Sequence, residues 1–251
     1  MNNNGDGLMR DDLRRKGLIP LEEPYSKNPK FSHINGGGNE KVDTSLLTIA
    51  GNNGIVDWVF VELRDANNID SIVATLSGMI QCDGDVITAT GDTILNFLNT
   101  PVGDYYVSIR HRNHIGMVTM NPIPFTTNII PFVDFTYSFT PVQGANPKIE
   151  TDGQEAMWSG DLNGDGKIIY QGPNNDVFTM FLHVLLDDRN QGYLTNYISR
   201  GYTENDFNLD GIIIYQGPNN DKALLLFNTI LNHPGNNQNF SNFVIQVNTN
   251  P

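Results

Sequence analysis

The chain has 251 residues, 39% hydrophobic and 10% aromatic, enough apolar material for one sizeable core or two smaller ones. Its 28 acidic residues against 15 basic ones give a formal net charge of −13, which repels nucleic acid and anionic lipid and makes cations the natural counter-charge. The single cysteine, Cys82, excludes an internal disulfide and reads as a small apolar side chain, so any stapling has to come from metals or packing. No apolar run reaches the roughly 20 residues that span a bilayer, and the opening MNNNGDGLMRDDLRRKG lacks the apolar core of a signal peptide. The expectation is a piece of a longer exported chain.

Residues 1–44 are rich in Gly, Asn and Pro, with one short helical candidate in DDLRRKG, and predict a lead-in segment that packs on its neighbour. From 45 to 140 come short runs rich in β-branched and aromatic residues: SLLTIAG, IVDWVFVELRD, SIVATLSGMIQ, DVITAT, GDYYVSIRHR, IGMVTM and IIPFVDFTYSF. Turn phrases such as GNNG, DANNID and QCDGD separate them, which predicts an antiparallel β-sandwich of about seven strands. Trp58, Phe60 and Leu63 cannot share one strictly alternating face, so a bulge or two-sided burial is expected in that strand.

Residues 141–251 contain an internal repeat. DLNGDGKIIYQGPNND (161–176) returns as DFNLDGIIIYQGPNND (206–221), differing only at Leu162/Phe207, Gly164/Leu209 and Lys167/Ile212. A helix is predicted after each copy, with apolar stripes Phe178, Phe181, Leu182, Leu185 and Ala223, Leu226, Phe227, Ile230. The two helices are expected to pack against each other, with Asp176 and Asp221 capping their first turns.

The loop spacing carries chemistry. Calcium is a hard cation that takes six to eight oxygens, and an EF-type loop supplies them from positions 1, 3, 5, the carbonyl of 7, and a carboxylate at 12. Asp161, Asn163 and Asp165, and again Asp206, Asn208 and Asp210, fill positions 1, 3 and 5; Lys167 and Ile212 stand at position 7. Gly166 and Gly211 occupy the sharp turn at position 6, and Ile168 and Ile213 the apolar position 8, where such loops usually join each other by a short two-stranded bridge. Position 12 is Gly172 or Gly217, which has no side-chain oxygen. The next carboxylate is Asp176 or Asp221, which predicts a loop enlarged by four residues, packed over Tyr170 or Tyr215 and closed by that aspartate. Asn174, Asn175, Asn219 and Asn220 remain alternative oxygen donors, and the phrase YQGPNND remains open as a recognition surface. An Asx-rich turn without metal competes for one copy, but less well for two.

The duplicated DxNxDG loop, each copy followed by a helix, resembles a dockerin-type module, the paired half-EF-hand calcium unit of bacterial extracellular proteins. GLMRDDLRRKGLIPLEEPY, DWVFVELRDANN, GDYYVSIRHRNHIGMVT and WSGDLNGDGKIIYQGPNND together resemble the terminal region of large secreted or surface proteins of Bacteroidota, of haemagglutinin- or adhesin-like kind. VGDYYVSIRHR is similar to the last-strand phrase of transthyretin-like sandwiches that serve as spacers in bacterial surface proteins. These resemblances imply a transthyretin- or immunoglobulin-like sandwich (45–140), then a dockerin-like module with a C-terminal tail (141–251), in an exported, surface-associated protein. The enlarged loop departs from true dockerins and puts cohesin-type docking in doubt.

Arg110, His111, Arg112 and His114 form the one dense cationic group, expected as a solvated strand end paired with acidic neighbours. His33, His183 and His233 are scattered, and no GxSxG, HExxH or Walker phrase is present. The reading is therefore non-enzymatic: a calcium-stabilised extracellular structural or adhesion module holding two Ca2+ ions. A calcium-dependent carbohydrate-binding module and a subunit of a self-assembling surface fibre are the alternatives. Its partners would be a protein or glycan at the cell surface, or further copies of itself, with neither nucleic acid nor membrane insertion.

Overall fold

The computed structural model describes residues 7–247. After a one-turn helix, α1 (Asp12–Arg15), five strands form the spine of a sheet: β1 (Ile55–Asp65), β2 (Asn68–Gln81), β3 (Val86–Ile87), β4 (Gly103–His111) and β5 (His114–Val118). Their order is β3-β2-β1-β4-β5, all antiparallel, and β6 (Ile123–Phe125) pairs with the far end of β4. Central β1 is buried along almost its whole length. Its register with β2 slips next to Ile55 and again at Arg64. Successive side chains of a strand alternate faces, so Trp58, Phe60, Glu62 and Arg64 share one face, and Val59, Val61 and Leu63 the other. Both expected irregularities, bulge and two-sided burial, are present.

The first face is covered by the lead-in segment. Leu13, Ile19, Tyr25, Phe31 and Val42 enter the same core as Trp58 and Phe60. Tyr25 and Phe31 stack against Phe60 with ring centroids 5.2 Å away, Tyr25 Oη donates to Trp58 O, and Trp58 Nε1 donates to Pro20 O. Leu95, Phe97 and Phe135 pack against the core from partly buried positions. Irregular chain of the lead-in forms the layer over this face, and the antiparallel strands of 45–140 join in one six-stranded sheet. Two of the expected strands are not strands. SLLTIAG becomes a 3-10 turn at Leu46–Thr48, and IIPFVDFTYSF runs along the surface with Ile129, Ile130, Phe132 and Phe139 exposed.

Beyond a small hairpin, β7 (Ile149–Thr151) with β8 (Gln154–Ala156), the duplicated region forms a second core. Each loop ends in a three-residue strand, β9 (Lys167–Ile169) or β11 (Ile212–Ile214), and runs into a helix, α2 (Asp176–Leu185) or α3 (Asp221–Leu225). A further strand follows each helix: β10 (Ile198–Arg200) and β12 (Val244–Gln246). The expected Ile168–Ile213 bridge does not form. Instead β11 pairs with β10, and β9 pairs with β12, so Ile213 lies opposite Ser199 and Ile168 opposite Ile245. Each loop is tied to the strand that follows the other copy's helix when α2 is counted before loop 2 and α3 after it, and the last strand returns to the first loop to close the module.

The helical stripes also need correction. Val177, Met180 and Val184 are the buried residues of α2, while Phe178 and Leu182 are exposed; in the second copy Leu225, Thr229 and Ile230 are buried and Phe227 is exposed. Both helices enter one core with Ile168, Ile213 and Ile245 between them in the cluster. The offset between copies is 45 from Asp161/Asp206 to Met180/Leu225, and 46 from Val184/Ile230 to Asn190/Asn236. One residue is inserted, and it falls where α3 widens into a π-turn, Leu226–Ile230, with Leu231 N bonded to Leu226 O. The widened turn absorbs the extra residue and returns the chain to phase. Asn190 and Asn236 then close equivalent loops: each side-chain amide reaches back to Val184 O or Ile230 O, and each carbonyl accepts from Leu194 N or Phe240 N.

The β4–β5 turn joins the two cores. Asn113 Nδ2 donates to Glu204 O and Asp206 O, Asn113 O accepts from Gly160 N, and Arg112 reaches Thr203 O. Arg112 also holds Asp57, which is fully buried on β1, with Nη2 at 3.0 Å from Oδ2. Removing one partner of a buried ion pair strands the other charge, at a cost of about 3–5 kcal/mol, whereas an exposed pair is worth under about 1 kcal/mol. Denaturant titration of Arg112→Met should therefore show a fall of about 3 kcal/mol or more, and Lys41→Met, which removes the exposed contact with Glu22, almost none. Equal effects would contradict this role for Asp57.

Candidate metal centres

The two enlarged loops share three internal hydrogen bonds. In loop 1, Asp161 Oδ2 accepts from Gly166 N, Asn163 Oδ1 from Asp165 N, and Asp165 Oδ1 from Lys167 N. In loop 2, Asp206 Oδ2 accepts from Gly211 N, Asn208 Oδ1 from Asp210 N, and Asp210 Oδ1 from Ile212 N. Each bond ties a side chain at loop position 1, 3 or 5 to a backbone N–H further along the same loop.

Asp176 and Asp221 are not the helix caps. Asn175 and Asn220 cap instead, accepting from Phe178 N and Ala223 N at 2.8 Å. Freed from that task, Asp176 turns back into loop 1, where Oδ1 accepts from Leu162 N at 2.7 Å and Oδ2 from Ile169 N at 2.8 Å. In loop 2 Asp221 turns back through Oδ2 alone, which accepts from Ile214 N at 2.6 Å. Asn163 Nδ2 bonds Asn174 O across loop 1. The carboxylate at the sixteenth position is thus brought to the loop, and Lys167 and Ile212 start the short strands that frame it.

The repeated phrase is explained by backbone geometry. Gly172 and Gly217 sit at φ +138° and +141°, where a side chain is strained, and Asn174 and Asn219 at +55° and +53°, the left-handed region that Asn tolerates. Asn175 Nδ2 and Asn220 Nδ2 each bond back to the carbonyl of that glycine. Gln171 accepts from Ser241 Oγ, and Gln216 from Thr195 Oγ1. Tyr170 and Tyr215 pack half-buried against the second core. Several residues of YQGPNND therefore have a task in closing the loop, while residues 171–174 remain exposed at the surface. The copies differ at position 4 for a packing reason. Gly164 leaves room for Lys30, whose Cδ would lie 2.3 Å from an added Cβ, whereas Leu209 reaches the first core.

The electrostatics of the loops are unbalanced. Asp161, Asp176, Asp206 and Asp221 are all buried. Loss of water pushes Asp161 up to about 6 and the other three up to about 7, with backbone hydrogen bonds opposing the rise. In each loop one buried carboxylate oxygen has no partner among the described residues: Asp161 Oδ1 and Asp221 Oδ1. Hard, inward-facing oxygen donors with unmet charge fit Ca2+. Asp165 is exposed and Asn163, Asn208 and Asp210 are half-buried, so one side of each loop faces water.

The cationic group is internal, not a solvated strand end. Arg110 bonds Glu62 and lies over the Phe31 ring, and Arg112 and His111 both bond Asp57. Against the desolvation that would raise it, the Arg112 charge and the His111 hydrogen bond hold Asp57 down at about 2, and burial lowers both His111 and His114. His183 and His233 pack beside Ser199 and Trp158. A further constellation escaped the sequence reading: Glu23, His33 and Glu40 place one ligand atom each within 4.8 Å of the others. The available signal was HINGGGNE, in which a glycine run separates a histidine from a glutamate.

Because the folded, metal-free loops hold protons that the unfolded carboxylates release near pH 4, their contribution falls as pH rises from about 4 through 7. A bound cation displaces those protons. The difference in Tm between calcium-saturated and chelated protein should therefore widen from pH 5 to pH 8; a constant difference would contradict the coupling.

No protein-family model, curated protein or solved structure matches this chain.

Proposed function

We propose that the chain is a calcium-stabilised structural and adhesion module of an exported bacterial surface protein, non-enzymatic and binding two Ca2+ ions. The observation that carries this reading is the unpartnered buried carboxylate oxygen in each of two equivalent loops. In this proposal Asp161, Asn163, Asp165, the carbonyl of Lys167 and Asp176 hold the first ion. Asp206, Asn208, Asp210, the carbonyl of Ile212 and Asp221 hold the second. The dockerin-like character lies in the duplicated loop and helix, and the departure from it in the aspartate sixteen residues along and the crossed strand pairing.

The ions act on the fold through mass action. A site filled at a hundredfold excess over Kd adds about 2.7 kcal/mol. The loops back onto the first core as well, since Lys30 bonds Leu162 O and Lys16 bonds Asp210 O. Calcium bound in the second core would thereby brace the sheet. Calorimetric titration should show two Ca2+ equivalents, with Asp161→Ala and Asp206→Ala each removing one. Differential scanning calorimetry should show a lower Tm in EDTA, and a melt indifferent to chelator would sink the proposal.

Self-association as the mode of adhesion is favoured by one observation, the surface run 129–139, in which Phe132 is 85% exposed and Phe139 79%. Sedimentation velocity in calcium should show concentration-dependent association that Phe132→Ser with Phe139→Ser abolishes. A monomer at every concentration would refute it.

A further inference from the structure

We propose that Glu23, His33 and Glu40 form a third cation site, separate from the two loops, which takes one divalent transition-metal ion of the zinc type and clips the lead-in segment to β2. The three residues come from different turns of the lead-in and converge over Thr75 and Ser77 of that strand.

Each ligand is already oriented by groups behind it. Thr75 Oγ1 accepts from Ile34 N and has one proton, directed at Gly36 O 2.9 Å away; it is therefore an acceptor for His33 Nδ1–H at 3.2 Å. That leaves His33 Nε2 as the nitrogen that faces the carboxylates. Glu23, 4% exposed, is held by Tyr25 N and Ser26 N, and Glu40 by Gly38 N, Asn39 N and Ser77 N. A histidine whose outer nitrogen is anchored while the inner one points at carboxylates has the second-sphere arrangement of a metal ligand.

Both carboxylates accept backbone N–H groups, whereas His33 Nε2, in the tautomer that Thr75 Oγ1 fixes, is an acceptor that faces another acceptor. His33 Nε2 lies 3.4 Å from Glu23 Oε2, and Ser77 Oγ lies 3.5 Å from both, with a single proton to give to one of them. Bonds of about 2.1 Å in a tetrahedral zinc site put neighbouring donors about 3.4 Å apart, which is the separation of His33 Nε2 and Glu23 Oε2. One imidazole nitrogen and two carboxylates suit zinc, cobalt or nickel better than calcium, which takes oxygen ligands. The glycine run makes the site possible: a Cβ on Gly37 would lie 2.4 Å from His33 Nδ1 and 3.0 Å from Glu40 Oε1, and Gly37 and Gly38 sit at φ +77° and +88°. In a chain with one cysteine, such a clip supplies the closure a disulfide would give elsewhere.

The test uses the full chain in excess Ca2+, so that the two loops are filled whatever ion they prefer. Zinc titration by calorimetry should show one equivalent, weakened about 100-fold or more in His33→Gln and in Glu40→Gln, and crystals grown with zinc should give one anomalous peak between the three side chains. Unchanged zinc binding in both variants, or an anomalous peak elsewhere, would overturn the proposal. Nitrogen NMR of the wild-type His33 ring keeps it testable if the variants do not fold. Zinc should shift Nε2 alone as a metal-bound nitrogen, and a doubly protonated ring in the presence of zinc would mean an imidazolium–carboxylate pair instead.

Discussion

A carboxylate buried at the centre of a sheet has to be neutralised where it stands, and Asp57 imposes that requirement on this fold. It lies fully buried on β1, between register slips, and its charge is met by Arg112 and His111 from the end of β4. Desolvation alone would raise its pKa, yet the Arg112 charge and the His111 hydrogen bond outweigh it and hold it at about 2. Because Arg112 is committed to Asp57, the β4–β5 turn is fixed in place, and with it Asn113, which binds the backbone at Glu204 and Asp206. The position of loop 2 relative to the sheet thus follows from a salt bridge between residues 55 apart in sequence, Asp57 and Arg112. Glu62 repeats the logic next to it, shared by Arg64 and Arg110, with Arg110 also covering Phe31 of the lead-in.

The duplicated module solves a different problem. Neither half can bury its apolar residues alone, so the halves exchange strands, β11 with β10 and β9 with β12, around one core. The exchange makes the second copy's phase matter. An inserted residue would rotate every later side chain off the core, and the π-turn at Leu226–Ile230 absorbs it, leaving Ile230 in the place of Val184. The enlarged loops follow from the same economy. Capping is delegated to Asn175 and Asn220, which frees Asp176 and Asp221 to turn inward, and the glycine and left-handed asparagine of YQGPNND make that turn possible.

Placement of charge connects the parts. A chain with net charge −13 keeps its buried acids in two regimes. In the sheet they are matched by arginine, whose forked guanidinium suits a fixed carboxylate. In the loops four aspartates are buried with few cationic neighbours, and loss of water raises all of them. The first regime balances each buried acid within the fold; the second leaves buried carboxylate oxygens, Asp161 Oδ1 and Asp221 Oδ1, without a hydrogen-bond partner among the described residues.

The local chemistry was legible in the sequence because it depends on spacing. The DxNxDG pattern, its duplication, the closure by Asp176 and Asp221, and the burial of both faces of β1 all come from residues close together in the chain. What depends on distant partners was not. Phe178 and Leu182 look like a helix's inner face, but the core lies on the side of Val177, Met180 and Val184, because β9 and β11 meet the helix there. Ile168 and Ile213 are apolar enough to pair with each other, yet the returning strands occupy those edges. Arg112 and His111 read as surface charge until Asp57 is placed opposite them, and Glu23, His33 and Glu40 converge only because the lead-in folds over β2. The sequence by itself determined the two duplicated acidic loops and the turns within them, since residue spacing and turn geometry are local. Only the tertiary structure decided which charges are buried and which strands meet, since both depend on contacts between segments far apart in the chain.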